Sequence, residues 1–196
     1  YFLSINSYVI TLIISTAIGS GLLFAGKNSE KKINFIEQLL LIILVYLVVS
    51  IFLALPFYLS NYQVTFLNSL FEAISGITGT GFSIFKNIKY LDPTLILWRS
   101  SSQWIGGLYF LFFLIIIFSN KQFRYKMNDL TYSGDGRTNS ESNIKEILLR
   151  VFIFYASLSF AIFLLLNISD VRMFNSLNLS MSLISAGGFL PTDSLD

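Results

Sequence analysis

The chain has 196 residues, of which 54% are hydrophobic and only 12% charged, with a net charge of +2. Soluble domains carry about a quarter charged residues, so water is excluded as the solvent for most of this surface, and so small a net charge argues against a nucleic-acid partner. Cys and His are both absent, which excludes disulfides and thiolate metal sites and removes the commonest metal ligand and general base. Any hydrolytic chemistry would have to run on carboxylates or Lys. The chain starts at Tyr1 and stops after PTDSLD, and the expectation is a piece of a longer protein.

Four apolar segments follow in chain order: 3–25, 36–59, 94–118 and 147–168. Each supplies the roughly 20 residues that a helix needs to cross about 30 Å of hydrocarbon. A signal peptide fits the first poorly, because a basic n-region and a clear cleavage site are lacking. Between the first two spans stand Lys27, Lys31 and Lys32. After the third come Lys121, Arg124, Lys126, Arg137 and Lys145, running into Arg150. The positive-inside rule makes both connections cytoplasmic and puts 60–93 and 169–196 on the outer side. Residues 128–143 are polar and rich in Gly, Ser and Asn, and read as a flexible linker.

The two outer segments repeat each other. FLNSLFEAISGITGTGF (66–82) aligns without gaps on MFNSLNLSMSLISAGGF (173–189), an offset of 107 residues. Asn68, Ser69 and Leu70 match Asn175, Ser176 and Leu177. Ser75 matches Ser182, Ile77 matches Ile184, and Gly81-Phe82 matches Gly188-Phe189, with Thr78 opposite Ser185. Agreement in Asn, Ser and Gly is harder to obtain by chance than agreement in apolar residues, so a duplication is expected. Both copies start from the cytoplasmic side, which makes them parallel repeats. The organisation read from this is an N-terminal helix and loop (1–32), a first span–loop–span unit (33–119), a linker (120–143) and a second unit that stops after its loop (144–196).

Residues 65–77 are too few to cross a bilayer and fit a re-entrant half-helix better. Irregular backbone at membrane depth is tolerated only inside protein or against a wet cavity. A span, a re-entrant helix, a Gly/Thr loop and a second span make a cation-pore unit. Loop carbonyls would replace the ion's hydration shell, and the helix C-terminus would lend partial negative charge. The plainer alternative is a small-residue packing motif between helices.

FEAISGITGTGFSIFKNI, followed by LDPTLILWRSSSQWIGGLYFLFFLIII, resembles the first pore loop and following helix of the TrkH-type subunit of the Trk/Ktr/HKT potassium-transporter superfamily. The block W-R-S-x-x-Q-W-x-G-G, Trp98 to Gly107, is specific to that group, and SLISAGGFLPTDS resembles the second pore loop. The resemblance covers nearly the whole chain. It implies an all-α membrane protein of repeated span–pore helix–span units around a pseudo-fourfold cation pore, incomplete here, that conducts potassium or sodium. It also implies a homodimer in the cell inner membrane and a cytosolic nucleotide-binding regulatory subunit, TrkA-like. The basic stretch around 120–145 is a candidate contact for that subunit, although a solvated positive-inside loop is the favoured reading. No cofactor is implied beyond the transported ion.

The filter residues expected from this are Thr78, Gly79, Thr80, Gly81 and Phe82 in the first loop, and Ser185, Ala186, Gly187, Gly188 and Phe189 in the second. Gly81 and Gly188 are the central glycines, with the second loop open to a shift of one residue that would give Gly187 the role of Gly81. The loops lack the second glycine of a T-V-G-Y-G filter, which implies fewer ordered sites. Gly79 stands where the family commonly has Thr, which implies a looser first loop. Glu72 would add negative potential at a pore mouth, but capping or local pairing within its own helix is the favoured reading. Asp92-Pro93 reads as a helix start. Arg99, between Trp98 and Trp104, reads as an anchor that snorkels or pairs with an acidic neighbour. Gly106-Gly107 reads as a close-packing site. The competing functions are a non-conducting scaffold or truncated remnant and, less favoured, a membrane enzyme built on Glu72, Asp92 and Arg99.

Overall fold

The computed structural model describes residues 2–28, 34–119 and 144–192. The helices, in chain order, are α1 (Phe2–Gly26), α2 (Phe35–Tyr58), α3 (Phe66–Ile77), α4 (Pro93–Ser119), α5 (Ile144–Ile168) and α6 (Met173–Ile184), with a 3₁₀ turn at Ile88–Tyr90. Four of them are long and apolar enough to cross a membrane: Ile5–Gly26, Phe35–Tyr58, Pro93–Phe118 and Glu146–Ile168. They fall within a few residues of the segments read from hydropathy. Lys31, Lys32, the basic stretch 120–143 and the end of the chain after Thr192 lie outside the described residues.

Burial runs opposite to that of a water-soluble protein. Leu22, Leu23 and Phe24 of α1, Leu40 and Ile43 of α2, and Phe154 and Leu165 of α5 all face outward. The buried set is as rich in Ser, Thr, Gln, Asn, Glu and Arg as in apolar side chains. Lipid is no worse a solvent than a protein core for an apolar side chain, so apolar residues gain nothing by turning inward. Polar groups must find partners inside. Several serines and threonines do so by donating to the preceding helical turn: Thr11 to Ser7 O at 2.8 Å, Ser50 to Tyr46 O at 2.7 Å, and Ser102 to Arg99 O at 2.6 Å.

α4 is the helix on which the others converge. A small apolar core of Leu53, Ala54, Phe57, Ala73, Ile77 and Leu95 joins α2, α3 and α4. Trp98 stacks edge-on against Tyr8 of α1 at 5.4 Å and donates to Leu53 O of α2 at 3.1 Å. Six residues on, Trp104 donates to Ser159 Oγ of α5 at 2.9 Å, and Tyr155 Oη donates back to Trp104 O at 3.1 Å. Burying a large ring while satisfying its one N–H suits Trp at such a junction.

α4 starts where the sequence predicts. Pro93 is its first residue, and Leu95 N and Ile96 N both donate to Asp92 O, at 2.9 and 3.1 Å. Before that start, Tyr62 Oη accepts from Asp92 N at 2.7 Å and donates to Tyr90 O at 3.0 Å. Burial raises the Tyr62 pKa above its ordinary phenolic value, and the hydroxyl, protonated near neutral pH in either case, holds this return.

Candidate functional site: two re-entrant loops on one helix

The two short helices begin and end at equivalent positions of the aligned segments. Each has 12 residues, about 18 Å at 1.5 Å per residue. α3 is capped at its start by Thr65, whose hydroxyl accepts from Asn68 N at 3.4 Å. α6 starts after Arg172, which makes no such bond.

Both helices stop in the same way. Thr78 Oγ1 donates to Ile74 O at 2.7 Å and Ser185 Oγ donates to Met181 O at 2.9 Å, each reaching back one turn. The next residue is left-handed in both copies, Gly79 at φ +70° and Ala186 at φ +53°. Each bonds back to its helix, Gly79 N to Gly76 O at 3.0 Å and Ala186 N to Leu183 O at 3.1 Å. Gly79 therefore sits at a left-handed helix cap, a position glycine fills at no steric cost and alanine at about 1–2 kcal/mol. That position gives the glycine a reason of its own.

The loops separate from each other one or two residues later. Gly81 takes φ +78° and donates to Ser75 O at 3.3 Å, whereas in the second loop it is Gly187 that donates to Ser182 O, at 2.8 Å. By that bond Gly187 matches Gly81. By the gapless alignment Gly188 does, and it is also the residue Gly81 meets: a Cβ on Gly81 would overlap Gly188 Cα and sit 2.6 Å from its nitrogen. The backbones of the two loops thus meet at Gly81 and Gly188.

Their depth follows from what they touch. A Cβ on Gly106 would overlap the carbonyl of Ile77, the last residue of α3. One on Gly107 would fall 2.8 Å from Ser185 Cβ and 2.7 Å from Tyr155 Oη. These neighbouring glycines therefore receive the ends of both short helices, one each. They lie about 20 Å along α4 from Pro93, nearly the length of α3 itself. Both short helices thus run inward beside α4 and end near the middle of a span. Close packing was expected of Gly106-Gly107, and its partners are the two short-helix ends together with Tyr155 on the span α5.

Glu72 and Arg99 hold the first loop from behind. Glu72 is fully buried and accepts from Arg99 Nε at 2.8 Å, Ser83 Oγ at 3.0 Å and Ile84 N at 2.9 Å. A second Arg99 nitrogen donates to Ser83 Oγ at 3.0 Å. The guanidinium also lies over the Phe189 ring, 4.2 Å from its centroid. The third nitrogen, Nη1, finds no hydrogen-bond acceptor among the described residues, and the aromatic face takes over part of that role. Of the two readings offered for Arg99, pairing with an acidic neighbour holds and snorkelling does not: it is 1% exposed and bonded to Glu72. The expectation for Glu72 is corrected. Glu72 pairs across to another helix rather than within its own.

Gln103 holds the second loop, and the sequence reading assigned it no role. It is completely buried one turn beyond Arg99. With its amide oriented so that both ends are satisfied, its oxygen accepts from Gly188 N and Phe189 N, both at 3.1 Å, and its nitrogen donates to Ser182 Oγ at 2.9 Å. The signal was present in the spacing. Arg99, Gln103, Gly106 and Gly107 recur at i, i+4, i+7 and i+8, one face of a helix, and a polar stripe inside an apolar span marks a surface facing protein or water. The remaining filter candidates are placed simply. Thr80 Oγ1 bonds Thr78 Oγ1 at 2.7 Å, Phe82 is 69% exposed, and Phe189 is 1% exposed beneath Arg99. Among the described residues no group of three or more Asp or Glu could hold a metal ion.

Comparison with known proteins agrees with this architecture. Residues 4–195 match the family described as TrkH, cation transport protein. An uncharacterized cation transporter of Methanocaldococcus jannaschii is 27% identical over 173 residues, covering 86% of this chain and 35% of that protein. The Trk system potassium uptake protein TrkG of Escherichia coli is 24% identical over 193 residues, 95% of this chain and 39% of its own length. The protein TrkI of Halomonas elongata is 38% identical over 72 residues. The chain spans well under half the length of these relatives. With the match running almost from end to end over four spans and two re-entrant loops, this multi-pass membrane chain belongs to the TrkH family of cation transport proteins.

Proposed function

We propose that the protein is an ion-conducting membrane subunit of a potassium uptake system, with sodium as the alternative cation. Backbone carbonyls of residues 78–82 and 185–189 form part of its selectivity filter. The observation that carries this is the meeting of Gly81 and Gly188 backbones at the inner ends of two matched half-helices. A bare cation needs several oxygens at once to replace its hydration shell, and two loops converging from separate units supply them without any charged ligand. The C-terminal ends of α3 and α6 add partial negative charge at the same place. The potassium uptake relatives support the choice of ion.

Residues 33–119 and 144–196 act as two pore units, and further units from the longer protein complete the ring. The loops face outward, and the basic stretch 120–143 lies in the cytoplasm of a cell whose inner membrane holds the protein. A homodimer and a nucleotide-binding regulatory subunit on the cytoplasmic face complete the assembly. The test is growth: the full-length gene restores a potassium-uptake-deficient bacterium in low potassium, and Gly81→Asp abolishes the rescue. Rescue undiminished by Gly81→Asp would falsify the filter assignment.

A further inference from the structure

Gln103 does more than fill space. A primary amide buried in the middle of an apolar span must spend its hydrogen bonds on protein, and the orientation that satisfies both of its ends is the one given above. Its oxygen then takes the N–H groups of two successive residues, Gly188 and Phe189, and its nitrogen bonds Ser182. Ser182 Oγ in turn donates to the Gly187 carbonyl at 3.0 Å. Gly187 is small for a reason, since a Cβ there would overlap the Gln103 amide.

The consequence lies in where the carbonyls go. The peptide bonds are trans, and in a trans unit N–H and C=O point in opposite directions. The units joining Gly187 to Gly188 and Gly188 to Phe189 both send their N–H to Gln103, so the carbonyls of Gly187 and Gly188 both point away from its amide oxygen. The Gly187 carbonyl is already engaged by Ser182. One oxygen is freed and its neighbour is occupied.

We propose that Gln103 is a positioning residue for ion selection: with Ser182 it aims the Gly188 carbonyl at the ion path and withdraws that of Gly187. Gly188, not Gly187, is then the ion ligand of the second loop. This rests on the pore reading of the two loops. Potassium and sodium differ mainly in how many oxygens must be held and how far apart, so a loop freed to turn loses discrimination before it loses conduction.

The experiment measures the potassium-over-sodium permeability ratio, from reversal potentials of the purified full-length protein in planar bilayers. Gln103→Met keeps the volume and removes all three hydrogen bonds, and is expected to lower the ratio about tenfold. Gln103→Glu keeps an oxygen for the two N–H groups and should stay within about threefold of the natural protein. If Gln103→Met does not reach the membrane, Ser182→Ala loosens the same clamp from the other side and should lower the ratio about threefold. A ratio unmoved by Gln103→Met, or by Ser182→Ala in its place, overturns the proposal, as does an equal loss in Gln103→Met and Gln103→Glu. Gly81→Asp in the same bilayers separates the two ideas. If it blocks conduction while Gln103→Met changes nothing, only the aiming role fails. If Gly81→Asp also conducts as before, the pore reading itself has failed.

Discussion

The loop after α3 and the loop after α6 start from closely similar sequences and end in different surroundings. Up to Gly79 and Ala186 they share the back-bonded hydroxyl and the left-handed cap. Beyond that point each is set by what α4 offers it. The second loop meets Gln103 and Arg99, so its Ser182 is bonded and its Phe189 buried. The first loop meets an ion pair from behind instead. Its Ser75 hydroxyl is buried without a hydrogen-bond partner among the described residues, and its Phe82 is 69% exposed. Matching sequence thus fixes a matching half-helix and cap, while the conformation that follows depends on the neighbouring helix.

That contrast can be broken most forcefully at the ion pair. Arg99→Met strands a fully buried Glu72 and should cost about 3–5 kcal/mol, whereas Glu72→Gln with Arg99→Met should recover much of it. Thermal unfolding of the full-length protein in detergent reports both, and a single variant that melts with the natural protein would sink the idea that this pair holds the first loop. A smaller effect tests the asymmetry directly. Ser182→Ala should cost about 1 kcal/mol because it removes two hydrogen bonds, while Ser75→Ala should be close to neutral. Equal costs at the two serines would show that the loops are held alike. The smallest effect tests what they share. Ala186→Gly should stabilise by up to about 1 kcal/mol by relieving the left-handed alanine, and Gly79→Ala should destabilise by a similar amount. If both substitutions shift the melting temperature in the same direction, the caps are not equivalent.

Much of this was legible beforehand. The four spans were readable because a helix in lipid needs about 20 apolar residues and little else. The short helix at 66–77 followed from being too brief to cross, and its twin at 173–184 from the repeat of Asn, Ser and Gly. Asp92-Pro93 announced the start of α4 through the chemistry of a helix N-terminus. Less legible were the partners. Glu72 and Arg99 stand 27 residues apart, and Gln103 and Phe189 stand 86 apart. No local pattern states that such residues meet.

Sequence by itself therefore determined the solvent, the spans, the duplicated half-helix and the position of its glycines, because each follows from composition, length or local backbone preference. Tertiary structure alone decided that Gly106 and Gly107 each receive one half-helix end, that Arg99 turns inward to Glu72 and Phe189, and that Gln103 grips the second loop. The physical reason is that a buried polar group in an apolar span must be satisfied by whatever packing brings within about 3 Å. Which group that is depends on how α3, α4 and α6 lie against one another.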